Sequence, residues 1–270
     1  MSEVTARTRE HAPWSISKAG IAEACPKQYA YKYIDKTPGA EAPSVNQVGN
    51  VTHAILEYRT GGAVKDEAYK LALAKMPLTS GELDSLKVLD ESMEDFLRKW
   101  GVFCRTHEVV EILREKAWGL TLDFRPTAFF AKDVFFRGKL DLGALTKSGD
   151  LIVVDHKSGL AKDIQKDTKY LRQVNSYAVL ARYNVEGLAG VRGGIHFMQG
   201  SESKRIQWFD YVSADAIEKR LVPWLYNYLN YVASRLVEPY EARPSKRWPC
   251  EWCNYKQNCE AYRGICSVCA

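Results

Sequence analysis

Four stretches of sequence stand out by residue type and spacing. Asp155 and Lys157 lie two apart in the run LIVVDHK (151–157), and Asp141 lies upstream in GKLDLGAL (138–145). Residues two apart on a strand point to one face, about 7 Å apart along the backbone. A carboxylate there can hold a divalent cation while the neighbouring ammonium faces the same reacting centre. His53, in GNVTHAILE, adds an imidazole, and Glu57 follows one helical turn later. Gln173 and Tyr177, in YLRQVNSYAVLA, are i and i+4 on a helix face. Phosphodiester hydrolysis needs a hydroxide nucleophile and neutralisation of phosphate charge, and a hard cation on oxygen ligands supplies both. Two aspartates and one imidazole leave coordination positions open for water and phosphate. That set suits magnesium or manganese, and the imidazole tilts it toward manganese. Lys157 is a point charge suited to the attacking water or the scissile phosphate. Taken singly, Asp155 and Lys157 read as a strand-end ion pair, and Glu57 as a solvated helix residue or a partner behind the ligands.

A second group is made of thiols. Five of the seven cysteines fall in the last stretch, WPCEWCNYKQNCEAYRGICSVCA (248–270). Cys250, Cys253 and Cys259 give C-x2-C-x5-C, three ligands of the four that a zinc or iron–sulfur site needs. The fourth is either local, from Cys266 or Cys269, or distant, from Cys25 in EACPKQYAYKY. Cys104 reads as a small apolar core residue.

These groups must be positioned by regular elements. Ser15 or Ser17 can cap a helix reaching about Ala24, and Pro26 fits the first turn of another running to about Ile34. Residues 36–46 read as a loop, 47–59 as a helix closed by Gly61-Gly62, and 64–76 and 81–100 as further helices. Strands are expected at 108–118, 134–145, 151–157 and 191–199, with a turn at Ser148-Gly149-Asp150. A helix is expected at 167–183, completing a strand–helix–strand unit. The apolar run 151–154, turning polar at Asp155, suits a strand buried on both faces with its functional groups at the carboxyl end. One more strand is expected at 204–212 and a long helix from 214 to 237. The class is α/β: a mixed central sheet flanked by helices, with a helical N-terminal part and a cysteine cap.

A length of 270 residues, 46% apolar and 26% charged, allows one large domain without crosslinks, and the net charge of +5 permits a polyanionic partner. No apolar run is long enough for a membrane span, and MSEVTARTREHAPW lacks a signal-peptide core, so a cytoplasmic location is expected, where clustered cysteines bind metal more often than they pair.

The hairpin aspartate, Asp-x-Lys, upstream Gly-x-x-x-His and downstream Gln-x-x-x-Tyr, in this order, resemble the RecB-like branch of the PD-(D/E)xK nucleases over roughly residues 14 to 262. The resemblance implies a restriction-endonuclease-like core. It casts Asp141, Asp155 and His53 as metal ligands, with the backbone carbonyl of His156 joining them, and Lys157 as the residue that orients or activates the attacking water and offsets developing charge. Gln173 and Tyr177 would lie beside the site and help position DNA. Leu140 stands before Asp141 where the superfamily's name would have proline, which is usual in this branch. Cys25-Pro26 together with C-x2-C-x5-C resembles the iron–sulfur subgroup, which includes CRISPR-associated RecB-like exonucleases and AddB-type nuclease domains. This implies a 4Fe–4S cluster on Cys25, Cys250, Cys253 and Cys259, ahead of zinc. The helix-hairpin-helix glycosylases share part of that spacing, but their first cysteine would fall at Arg243.

The expected organisation is an arm over 1–13, a nuclease core over 14–245 with a helical insertion at about 60–105, and a cap over 246–270 closing onto Cys25. The expected activity is divalent-metal-dependent hydrolysis of DNA by an exonuclease, on single strands or ends, in recombination, repair, phage DNA processing or CRISPR adaptation. The alternative is an accessory subunit working mainly inside such a complex. Basic and aromatic residues are the candidate DNA contacts. Arg172 and Tyr170 come first, then Lys169, the group Tyr29, Tyr31, Lys32 and Tyr33, and the group Lys246, Arg247 and Trp248.

Overall fold

The structure, a computed structural model, describes residues 4–40, 44–243 and 250–267, with the backbone alone at 44–46, 252 and 264–267. The chain divides into two compact units, Met1–Ala42 with Pro223–Ala270, and Pro43–Val222.

The first unit joins the chain's two ends. Helices α1 (Ala6–Glu10), α2 (Ile16–Ala24) and α3 (Pro26–Tyr29) follow one another, and α3 runs on through a wider π-helical turn, Ala30–Ile34. Ser15 caps α2 by accepting from Lys18 N, and Pro26 opens α3, as their residue types favour. Residues 6–10, within the stretch expected to be an arm, are helical. Thr5 caps them, and Thr8 is buried and bonded to Asn230 Oδ1 at 2.7 Å. Trp14 is fully buried, with its indole N–H donating to Thr8 O at 2.8 Å. Arg243 reaches the carbonyl of Glu23, and Ala40 N donates to Asn254 O at 2.8 Å.

The second unit opens with α4 (Ser44–Thr60), α5 (Lys65–Lys75) and α6 (Ser80–Thr106). Thr79 and Glu82 form a reciprocal capping box at the start of α6. Asp90 on α6 accepts from Lys65 Nζ at 2.5 Å and Tyr69 Oη at 2.6 Å, which ties α5 to α6. Strands β1 (Val109–Leu120), β2 (Pro126–Thr127), β3 (Phe136–Thr146) and β4 (Asp150–Leu160) come next. Helix α7 (Thr168–Asn184) then crosses to β5 (Gly190–Gln199), and β6 (Ile206–Trp208) and β7 (Val212–Ser213) follow. The expected strand at 204–212 is thus broken, with a short helix at Glu202–Arg205 before β6. The long helix expected from 214 comes in pieces, Ala214–Ala216, a π-helical turn over Ile217–Leu221, and Val222–Ser234.

The sheet runs β2-β1-β3-β4-β5-β6, with β7 also on β5. It is mixed: β4 and β5 are parallel, and the other pairs are antiparallel. A parallel pair needs a crossover, and α7 supplies it. Alternation along the strands builds two apolar layers. Val154 and Met198 pack with Ile55, Leu89 and Phe96 of the α4–α6 layer. Ile195 and Phe197 pack with Tyr170 and Val174 of α7. Two glycines let α7 lie close. A methyl at Gly193 would overlap Val174, and one at Gly138 would sit 2.6 Å from Leu180 Cδ1. Among the described residues, no helix is long and apolar enough to cross a membrane.

Candidate active site

Strand β4 carries the Asp-x-Lys pair. Asp155 is 1% exposed and faces α7. Its Oδ1 accepts from Gln173 Nε2 at 2.5 Å and from Tyr177 Oη at 3.1 Å. Gln173 Nε2 also donates to Tyr177 Oη at 2.9 Å, so the three groups close a triangle. Gln173 and Tyr177 reach one oxygen because i and i+4 lie one above the other on α7. The other oxygen, Oδ2, accepts no hydrogen bond. It sits 2.6 Å from Lys157 Nζ, a charge contact without hydrogen-bond alignment.

Burial, then the nearby charge of Asp141, pushes the Asp155 carboxyl above its ordinary pKa. Burial opposes the Lys157 ammonium, but Asp155 outweighs it and the lysine pKa rises. The two shifts favour opposite states, a neutral acid and a charged amine. At 2.6 Å the ammonium keeps its proton, and the carboxylate bears the cost of burial beside Asp141. A cation at Oδ2 would relieve that cost.

Asp141 comes from β3, where Oδ2 accepts from His156 N at 2.8 Å and lies 3.4 Å from His53 Nδ1 on α4. Burial raises the Asp141 pKa, but the His53 hydrogen bond and charge bring it below its ordinary value. Burial lowers the His53 pKa, and Asp141 more than restores it, so the imidazole is raised. The His156 ring itself turns away from the acids. It lies edge-on to Phe96, and its Nδ1 is 3.0 Å from His196 Nδ1. Burial drives both histidines toward the neutral form, His196 to a pKa of about 3.

One acid escaped the motif reading. Glu115 on β1 lies with His53 and Asp141 so that one ligand atom from each falls within 4.8 Å of the others, a group that can hold a metal ion. Its φ is 45°, left-handed backbone that a non-glycine residue adopts only where its surroundings hold it. The β1–β3 register skips it, passing from Arg114↔Leu142 to Lys116↔Leu140. Glu115 also pairs with Lys139. Oxygen donors with one imidazole fit a hard divalent cation, and Asp155 is not one of the three residues in that group.

The remaining candidates divide. Tyr170, expected to meet DNA, is buried instead, its ring edge-on to Phe197 at 5.5 Å, and so offers no face to a base. Arg172 is half-buried on α7. In the first unit Tyr29 is fully buried among His11, Trp14 and Tyr33, and Tyr31 donates to Asn258 O and packs on Tyr255. Cys25, Cys250, Cys253 and Cys259 line one cleft there, with Lys27, Arg243 and Lys256 at its walls. Lys246, Arg247, Trp248, Cys269 and the side chain of Cys266 lie outside the described residues.

A model of the PD-(D/E)XK nuclease superfamily matches residues 13–260. The fold resembles that of a candidate exonuclease from Eubacterium rectale at a TM-score of 0.50, with 11% identity over 88% of this chain and 89% of the other. The solved structure of SSO0001 overlaps at a TM-score of 0.36, with 13% identity over 80% and 85%, too little to argue from. No curated protein matches the chain.

Proposed function

The chain belongs to the PD-(D/E)XK nuclease superfamily, and on that premise we propose that it is a divalent-metal-dependent deoxyribonuclease of the RecB-like branch, an exonuclease acting on single-stranded DNA or DNA ends. The observation that carries this reading is the buried Asp155 carboxylate, with one oxygen fixed by two donors and the other paired with the Lys157 ammonium at 2.6 Å. The exonuclease description belongs to the Eubacterium rectale protein and gives this reading its form.

Asp141, Asp155 and His53 would hold Mg2+ or Mn2+, with the His156 carbonyl as a further donor and Glu115 within reach of the same group. When bound, the cation supplies an acidified water and neutralises phosphate charge. Gln173 and Tyr177 hold the Asp155 carboxylate in one orientation, and the His156 amide does the same for Asp141. Lys157 keeps its proton and offers positive charge to the scissile phosphate.

The cysteine cleft supports a second part of the proposal. Cys25, Cys250, Cys253 and Cys259 would hold a 4Fe–4S cluster, with zinc as the alternative. A cluster on four thiolates is anionic, and the cations of Lys27, Arg243 and Lys256 offset that charge. Its role would be structural.

The test is cleavage of 5′- and 3′-labelled single- and double-stranded DNA with Mn2+. The wild-type protein should shorten the single strand, and Asp155→Ala should leave it intact. Equal behaviour of the two proteins would end the proposal.

A further inference from the structure

A rigid aromatic platform lies at one end of the β1–β3 hairpin. Phe130 is 84% exposed, more than any other large apolar residue among those described. Its ring stands at 83° to that of Phe129, with centroids 4.9 Å apart. The Arg137 guanidinium lies 4.8 Å from the Phe129 ring and 5.4 Å from the Phe130 ring, and it donates to Phe129 O at 3.1 Å. The loop is fixed from within. Ala131 N donates to Ala128 O, Val134 N donates to Ala131 O, and Thr127 Oγ1 donates to Asp133 Oδ1. Folding therefore holds an apolar ring out in water and braces it with a cation.

The strand beneath links this platform to the acids. Arg137 and Lys139 are two apart on β3, opposite Gly119 and Ala117 of β1, and so share a face over small residues. Lys139 pairs with Glu115, which belongs to the group with His53 and Asp141. Arg137 is four residues from Asp141, about 13 Å along the strand. That is about four nucleotides of a stacked strand, at about 3.4 Å each. Basic side chains along a track with an aromatic face at its end are what an unpaired strand requires. A paired base keeps its faces stacked within the duplex and cannot use such a ring.

We propose that Phe130, braced by Phe129 and Arg137, stacks a nucleobase of single-stranded DNA a few nucleotides from the scissile phosphate, with Arg137 and Lys139 along the backbone between them. This rests on the nuclease reading above and adds the strand preference to it. Phe130 is a positioning residue; it touches no reacting atom.

The experiment uses the full chain in EDTA, so that binding is read apart from cleavage. Its probes are a single-stranded oligodeoxynucleotide carrying one 2-aminopurine and the matching duplex. Phe130→Ala should weaken single-strand binding about 5- to 150-fold, the range one base–aromatic stack spans. Duplex binding should stay unchanged, and Phe130→Trp should restore the single-strand affinity and the 2-aminopurine quenching. If Phe130→Ala binds the single strand like the wild type, the platform falls while the nuclease reading stands. If the wild-type protein neither binds nor, with Mn2+, cuts DNA, the nuclease reading falls and the platform with it. If the wild type is a dimer that Phe130→Ala dissociates while DNA affinity holds, the face belongs to a second copy of the chain and the inference is overturned.

Discussion

One carboxylate oxygen with two donors raises the question of what Gln173 and Tyr177 do. Their hydrogen bonds run to Asp155 Oδ1, so their geometry favours holding that carboxylate over holding DNA. Burial, then the charge of Asp155, also keeps the Tyr177 phenol protonated and thus a donor. Tyr177→Phe removes one donor from a buried acceptor, a loss of about 1–3 kcal/mol in the state that needs the carboxylate ordered. The expected outcome is a higher Mn2+ concentration for half-maximal cleavage and a slower rate at saturation, with metal-free DNA affinity unchanged. A drop in that affinity would return Tyr177 to the role of a DNA contact. At this scale the sequence was legible where partners are close in the chain. Asp155 and Lys157 are two apart, and Gln173 and Tyr177 are four apart, so local periodicity alone sets them side by side. Glu115 was not legible, because it meets His53 and Asp141 only through the β1–β3 register and a left-handed backbone angle. The burial of Tyr170 was not legible for a related reason. Its helix face is set by Phe197 on another element, which helical spacing does not reveal.

Helix α7 can deliver Gln173 and Tyr177 only if it lies close to the sheet, and Gly193 and Gly138 permit that. A methyl at Gly193 meets Val174, the neighbour of Gln173, and so pushes the helix away from β5. Gly193→Ala should cost about 1–3 kcal/mol in urea unfolding, as overpacking does, and should slow cleavage further by loosening the Asp155 triangle. Gly81→Ala, which meets nothing within 4 Å, is the control and should do neither. Retained full activity in Gly193→Ala would show that α7 needs no such fit. A pH effect belongs to this scale too. Burial raises the Asp90 pKa, but hydrogen bonds from Lys65 and Tyr69 outweigh it and hold it below the ordinary carboxylate value. A depressed acid stabilises above its unfolded pKa and loses that contribution as pH falls through its folded pKa. The tie between α5 and α6 should therefore weaken on acidification. Asp90→Asn should flatten the acid side of the urea-midpoint profile by at most about 1 kcal/mol, since the side chain is 31% exposed. A steep acid slope unchanged in Asp90→Asn would assign the effect elsewhere. Element types were legible where a pattern was long and capped, as in α6 and in β4 with its Ser148-Gly149-Asp150 turn. The segment 202–213 was not, because its strand pieces are set by pairing with β5 rather than by their own alternation.

The proposed chemistry and the proposed closure fall in different units of the chain. His53, Asp141, Asp155, Lys157, Gln173 and Tyr177 all fall in the unit Pro43–Val222, and the cysteine cleft falls in the unit made of the chain ends. A cluster on Cys25 and the three late cysteines would close a loop of about 225 residues. By the loop-entropy relation for a crosslink, such closure limits the unfolded chain by up to about 5 kcal/mol. Without it the end unit still has contacts to keep, such as Arg243 to Glu23 O, Ala40 to Asn254 and Tyr31 to Asn258. These are partly exposed, so closure should matter more there than in the layered second unit. Cys25→Ser in anaerobically purified protein should lower iron and acid-labile sulfide together. It should make residues near both ends the first sites of limited proteolysis. Mn2+ binding by the second unit, followed by electron paramagnetic resonance, should persist. Zinc in place of iron in the wild-type protein would replace the cluster with a zinc clasp and leave the closure argument intact. A Cys25→Ser protein with unchanged metal content and unchanged proteolysis would remove Cys25 from the ligand set and give the tail back to a local site.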